Sequence, residues 1–161
     1  MPTYKLIVTL PSDTEIKQQR KFDAPRDLVF RAFTDPELIP HWWGPHGFTT
    51  RVDQLDLRPS GKWRFVQHDP DGNEFAFRGE YREISPPERI MGTFEFEGMP
   101  GHIAVETTTL EEVEGGTLLT TISGFDSQAE RDGMLQSGME QGAAESLDRL
   151  ESLLPGVQAA S

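Results

Sequence analysis

The chain has 161 residues, 35% hydrophobic and 26% charged, enough to bury one substantial core and too apolar for a disordered segment. A formal net charge of −12 makes phosphate backbones and anionic lipid surfaces poor partners, so neither nucleic-acid binding nor membrane insertion is expected. The absence of cysteine excludes disulfides, thiol chemistry and cysteine-ligated metals.

Met1 to Leu10 holds a short apolar run before Pro11 and lacks a signal-peptide core, and no apolar stretch approaches a membrane span. The expected location is the cytoplasm. Residues 4–10 and 15–22 are rich in strand formers, with Pro11-Ser12-Asp13 as the turn between them. Asp23-Ala24-Pro25 reads as a helix start with Asp23 as the capping acid, followed by Leu28, Val29, Ala32 and Phe33 at helical spacing. A second short helix is expected from Thr34-Asp35-Pro36-Glu37 into His41-Trp42-Trp43, broken by Gly44-Pro45.

From Phe48 to Phe125 the helical period disappears. Closely spaced turns separate six runs, at 48–57, 61–68, 74–84, 88–96, 102–113 and 117–125, and such short connections join antiparallel neighbours. Alternation puts Trp63, Phe65, Phe75, Phe77, Gly79, Tyr81, Ile90, Gly92, Phe94 and Phe96 on one face, with Lys62, Arg64, Arg78, Glu80, Glu95 and Glu97 on the other. Such a sheet is covered on one side and solvated on the other.

The cover is the last element. Ser127-x-x-Glu130 fits a capping box, and one long helix is expected from there to Leu153-Leu154, stopped by Pro155-Gly156. Leu135, Met139, Gly142, Ser146, Leu150 and Leu153 share a stripe. The reading is therefore an α+β fold, a curved antiparallel sheet around a C-terminal helix, with one domain over residues 1–154 and a frayed tail over 155–161.

Three glycines in that helix, Gly133, Gly138 and Gly142, each cost about 1 kcal/mol against alanine. They mark either room for a guest above the aromatic sheet or close helix–sheet packing. Tyr81, and Thr107, Thr109, Thr121 and Ser123 in the inferred register, are the polar groups that could orient a guest. In His41-Trp42-Trp43-Gly44-Pro45-His46 the two indoles read as a lid or mouth. A metal site at His41 and His46 would need ligands that the sequence does not place. Asp69-x-Asp71-Gly72 reads as a hairpin turn rather than a calcium loop. Neither metal nor cofactor is expected.

Several strings carry a family resemblance: Phe22-Asp23-Ala24-Pro25, Val29 through Pro36, Trp42-Trp43-Gly44-Pro45, Gly61-Lys62-Trp63-Arg64-Phe65, Gly79-Glu80-Tyr81, Pro86-Pro87-Glu88-Arg89 and Ser146 through Leu150. In this order they resemble the SRPBCC (START-like) superfamily over residues 15–154, nearest to proteins similar to the activator of the 90-kDa heat-shock-protein ATPase. The resemblance implies a helix-grip fold, as in the birch-pollen allergen, with a cavity for hydrophobic molecules such as lipids. Chaperone activation belongs to larger eukaryotic relatives. Met139 departs from the resemblance, many relatives carrying Trp there.

The leading expectation is a non-enzymatic binder of a small hydrophobic or amphipathic molecule. Its lining candidates are Trp42, Trp43, Trp63, Phe65, Phe77, Tyr81, Phe94, Met139 and Gly142. One alternative is an aromatase/cyclase- or hydrolase-type enzyme in which Tyr81 or a histidine moves protons; it requires two titratable groups converging on the cavity. Another is a co-chaperone-like interaction protein, which requires an exposed apolar or charged patch. A homodimer is left open.

Overall fold

Strands form where the sequence alternates. The computed structural model describes residues 4–160, with side chains to Val157. Eight strands, β1 (Ile7–Thr9), β2 (Glu15–Phe22), β3 (Thr49–Leu55), β4 (Lys62–His68), β5 (Glu74–Ser85), β6 (Arg89–Phe96), β7 (Ile103–Val113) and β8 (Gly116–Gly124), make one antiparallel sheet in the order β1-β2-β8-β7-β6-β5-β4-β3. The first is shorter than expected, only Ile7–Thr9 pairing with β2. Register shifts at Val52/Gln54 in β3 and Tyr81/Glu83 in β5 add local twist and bend the sheet. At Gly79 the strands crowd so closely that a Cβ would stand 1.9 Å from the Thr93 carbonyl and 2.5 Å from the Trp63 indole nitrogen.

Since β2 pairs with β8 while β3 is the far edge, residues 23–48 carry the chain across the concave face. Helix α1 (Arg26–Thr34) does so with Leu28, Val29, Phe30 and Ala32 buried. Pro25, not Asp23, is its N-cap, and the Asp23 carboxylate instead accepts from the Tyr4 hydroxyl at 2.8 Å. The expected second helix is also not formed. The Asp35 carboxylate takes the Glu37 N–H at 2.8 Å and closes a turn, and Pro40 brings no N–H, so only a 3-10 turn (Ile39–His41) follows.

The cover is two helices rather than one: α2 (Gln128–Gln136) and α3 (Met139–Ala160). Gly138 divides them at φ +86°, the left-handed geometry that ends a helix and that glycine adopts without strain. Half of the capping box forms. Ser127 Oγ accepts from the Glu130 N–H at 3.2 Å, but the Glu130 carboxylate points to His102 instead of back to Ser127. Nor does Pro155-Gly156 end α3. Both residues face solvent while Leu154 and Val157 on either side are buried, so packing carries the helix past the proline, and the tail expected to fray is helical to Ala160. No helix among the described residues is long and apolar enough to cross a membrane.

The buried stripe of α3 is Leu147, Leu150, Leu154 and Val157, which packs with α1, Phe22, Leu110 and Leu119. Of the expected stripe, Leu150 lies in this core and Leu153 packs against it, while Met139, Gly142 and Ser146 stand on the cavity wall described below. Beside these leucines lies Arg20 of β2, 1% exposed. Its guanidinium bonds Glu151 at 2.9 Å and Asp148 at 3.1 Å and lies 4.7 Å from the Phe22 ring centre. A second cluster, Ile39, Trp63, Phe65 and Tyr81, fills the β4–β5 end of the sheet.

Leu150→Ala leaves a cavity at a fully buried position and is expected to cost about 3 kcal/mol in urea denaturation. Arg20→Met is expected to cost less, about 2 kcal/mol, because Asp148 and Glu151 are partly exposed and regain water when unpaired.

Candidate functional site

Between the concave face and the two cover helices lies a cavity of about 810 Å³. Its floor comes from the inward residues of β2, β8, β7, β6 and β5. Its roof comes from α2 and the first turns of α3, where Gly133, Met134, Gly138, Met139, Gly142 and Ala143 stand on the wall. Small residues here are what keep the space open. A Cβ on Gly133 or Gly138 would meet nothing within 4 Å, whereas one on Gly142 would touch Pro45 at 3.6 Å.

Of the nine residues singled out from sequence, Trp42, Trp43, Phe77, Phe94, Met139 and Gly142 line this cavity. Trp63, Phe65 and Tyr81 do not; they pack with Ile39 in the second cluster, behind Trp43 and Phe77. Burial in that cluster pushes the Tyr81 phenol up to about 12, so it stays protonated.

The two adjacent tryptophans have different tasks. Trp42 is 3% exposed, donates from Nε1 to the Ala32 carbonyl at 3.0 Å and packs against Phe33 at 4.8 Å. Trp43 presents its ring at 5.1 Å to Phe65 and 5.2 Å to Phe77, both edge-on, so it joins the aromatic cluster to the cavity. The segment after them is fastened to α3. The Gly44 N–H donates to Ser146 Oγ at 3.0 Å, the His46 N–H to Glu145 at 2.9 Å, and Arg149 donates to the carbonyls of Gly44, Pro45 and His41. Of the two expectations, lid or mouth, the segment fits the mouth: a rim pinned to α3. Gly44 is needed there: its φ is +112° and a Cβ would come within 2.8 Å of the Gln67 side-chain nitrogen.

The floor holds what sequence reading missed. Thr121 and Ser123 of β8 face inward as expected, but β7 has the opposite parity. Ala104, Glu106 and Thr108 line the cavity, and Thr107 and Thr109 lie on the other face of the strand. Glu106 Oε2 accepts from Ser123 Oγ at 3.0 Å, and the hydroxyls of Thr108 and Thr121 are 3.1 Å apart. Burial pushes the Glu106 carboxyl above its ordinary value, the single serine bond offsetting only part of the lost hydration. Gln18, 8% exposed, reaches the same floor from β2. At the rim, His102 Nδ1 and Glu130 Oε1 are 2.7 Å apart and tie β7 to α2. The signal for Glu106 was present: Ala104 and Leu110, both buried, share its parity. A carboxylate at an inward position had disguised it.

The calcium-like string is a turn. Asp69 accepts the N–H groups of Asp71 and Asn73 and the Asn73 amide, each at 2.9 Å, which holds its carboxyl below the usual range.

A family model described as "Activator of Hsp90 ATPase homolog 1-like protein" matches residues 23–155. Solved structures share the fold. A Rhodobacter sphaeroides protein matches at 24% identity and TM-score 0.86, over 94% of this chain and 99% of that one. A Chromobacterium violaceum protein matches at 29% identity and TM-score 0.79, over 89% and 98%. DynU16, of the dynemicin biosynthetic locus, matches at 21% identity and TM-score 0.69, over 90% of this chain and 48% of that one. No functionally curated protein matches the sequence.

An acid whose folded-state pKa is raised destabilises the fold as pH climbs from its unfolded value through its folded one. Glu106→Gln is therefore expected to melt above the parent at pH 8. The gap should shrink as pH falls and vanish near pH 3, below the ordinary glutamate value, where Glu106 is protonated in both states; thermal melts across pH check this.

Proposed function

The chain belongs to the Activator of Hsp90 ATPase homolog 1-like family, and from that premise we propose that it binds a small, mainly apolar molecule under its helical cover without transforming it. The observation that carries this reading is the unfilled space itself. A core of this size normally closes to crystal-like density, yet here about 810 Å³ stays open beside Trp43, Phe77, Phe94 and Met139. That volume falls within the range of small-molecule sites, which combine apolar walls with a few placed polar groups. The rings contribute apolar contact area, and Glu106, Gln18, Thr121 and Ser123 supply a polar end, which suits an amphipathic guest.

A second reading is favoured by Glu106 specifically. A carboxyl pushed upward by burial inside a cavity is suited to general acid–base work, and it occupies the role the sequence had offered to Tyr81. Recovering the retained molecule chemically unchanged after long incubation supports binding; turnover that Glu106→Gln abolishes supports the enzyme. The third reading, a co-chaperone, draws only on the family name and on separate exposed residues such as Met99 and Ile103.

The neutral probe N-phenyl-1-naphthylamine is expected to bind one per chain with enhanced fluorescence. Met139→Trp, which adds a large ring to the roof, is expected to weaken that binding about tenfold. No enhancement, or an enhancement indifferent to residue 139, counts against the proposal. Native mass spectrometry of protein from its own host, with a lipid-extract screen, identifies the natural guest.

A further inference from the structure

The floor of the cavity carries an acid and lacks a basic protein group to answer it. Glu106 Oε2 has the Ser123 hydroxyl, but Oε1 has no hydrogen-bond partner among the described residues. The Gln18 side-chain amide, on the neighbouring wall, likewise has none, although the residue is 8% exposed. Neither group is sealed in protein; both open onto the cavity, where a group that arrives from outside can answer them. No lysine or arginine stands on the cavity wall. The charged side chains there besides Glu106 are His102 and Glu130; Glu130 Oε1 pairs with the His102 ring at 2.7 Å while its Oε2 is buried without a partner, which adds acid and no free base to the wall.

Resting on the binding reading above, we infer that the guest carries a basic nitrogen, and that Glu106 and Gln18 receive the ammonium group of a hydrophobic amine. The ammonium donates to Glu106 Oε1 and to the Gln18 carbonyl oxygen, charge-assisted bonds that are strong where water is excluded. Its hydrocarbon body lies along Trp43, Phe77 and Phe94, whose ring faces also attract a nearby cation. The −12 net charge raises the local concentration of cations over anions. A fatty acid or an anionic lipid head would meet the opposite situation, a second carboxylate or phosphate beside Glu106 in low dielectric with no cation to pair it.

Three probes that differ only in head group test this: dodecylamine, dodecanol and dodecanoate, each below its micelle concentration, titrated at pH 7.5 by quenching of tryptophan fluorescence. The wild-type chain is expected to bind the amine about tenfold tighter than the alcohol, with the acid weakest. Glu106→Gln, isosteric and checked by circular dichroism, should bring the amine-to-alcohol ratio close to one, while Glu111→Gln on the outer face of β7 should leave it unchanged. An acid that binds as tightly as the amine, or a ratio that survives Glu106→Gln, overturns the inference alone. Failure of all three probes to bind overturns the binding reading as well. The wild-type ranking decides the matter even if the variant fails to fold.

Discussion

The helical cover is sunk into the apolar core at one end and tied by polar contacts alone at the other, and the cavity follows from that. Along α3, Leu147, Leu150, Leu154 and Val157 sink into the core shared with α1, and Arg20 grips Asp148 and Glu151 from the sheet below. Toward the N-terminus the same helix offers Met139, Gly142 and Ala143. Those side chains are too small or too thin to reach the concave sheet. Gly138 then turns the chain, so that α2 crosses the opening as a separate piece instead of extending the helix down into the space. A wide sheet and a half-anchored cover leave a void that hydrophobic packing would otherwise close.

The outer face of the sheet is charged where the inner one is aromatic. Arg64 bonds Glu97 at 2.7 Å and Asp53 at 3.2 Å, and Arg78 bonds Glu95 at 2.9 Å, a charged net laid across β3, β4, β5 and the end of β6. The arginines hold these three carboxyls below their ordinary values. Exposed pairs of this kind contribute little stability singly. Their placement on the convex side, opposite stacked rings on the concave side, nevertheless fixes which face is wet. Phe77 lies 5.6 Å from Phe94 and 5.1 Å from Phe96, so the inner rings form a continuous apolar surface behind which water is scarce. Against that surface the Glu106 floor stands out as a polar patch on an otherwise largely apolar wall.

Much of the fold was legible because its signals are local. Strand alternation in β4, β5 and β6 placed Trp63, Phe77 and Phe94 on the correct face, and the closely spaced turns marked an antiparallel meander. Two kinds of information were not local. Gly138 within a helical pattern reads as a tolerated glycine, and only its left-handed backbone shows that it splits the helix. Pro155 reads as a stop, and only the burial of Val157 shows why the helix continues. The cavity wall suffered most. Its apolar members were visible as rings, but Trp63, Phe65 and Tyr81 pack with Ile39 in the neighbouring cluster, and alternation gives a residue's face rather than its place along the sheet. Glu106 was hidden because an inward carboxylate violates the rule used to assign faces, and functional sites are where such violations concentrate.

The central claim is that a guest enters the space between the sheet and the divided cover, and methyl NMR tests it most directly. With methionine and leucine methyls labelled and dodecanol added, the resonances of Met134, Met139 and Leu147 should shift together and saturate at one equivalent. Met91, on β6 away from the cavity wall, and Leu154 in the anchored core should stay in place. Unmoved Met134 and Met139 signals under saturating dodecanol, or shifts spread equally to Met91 and Leu154, would contradict the claim.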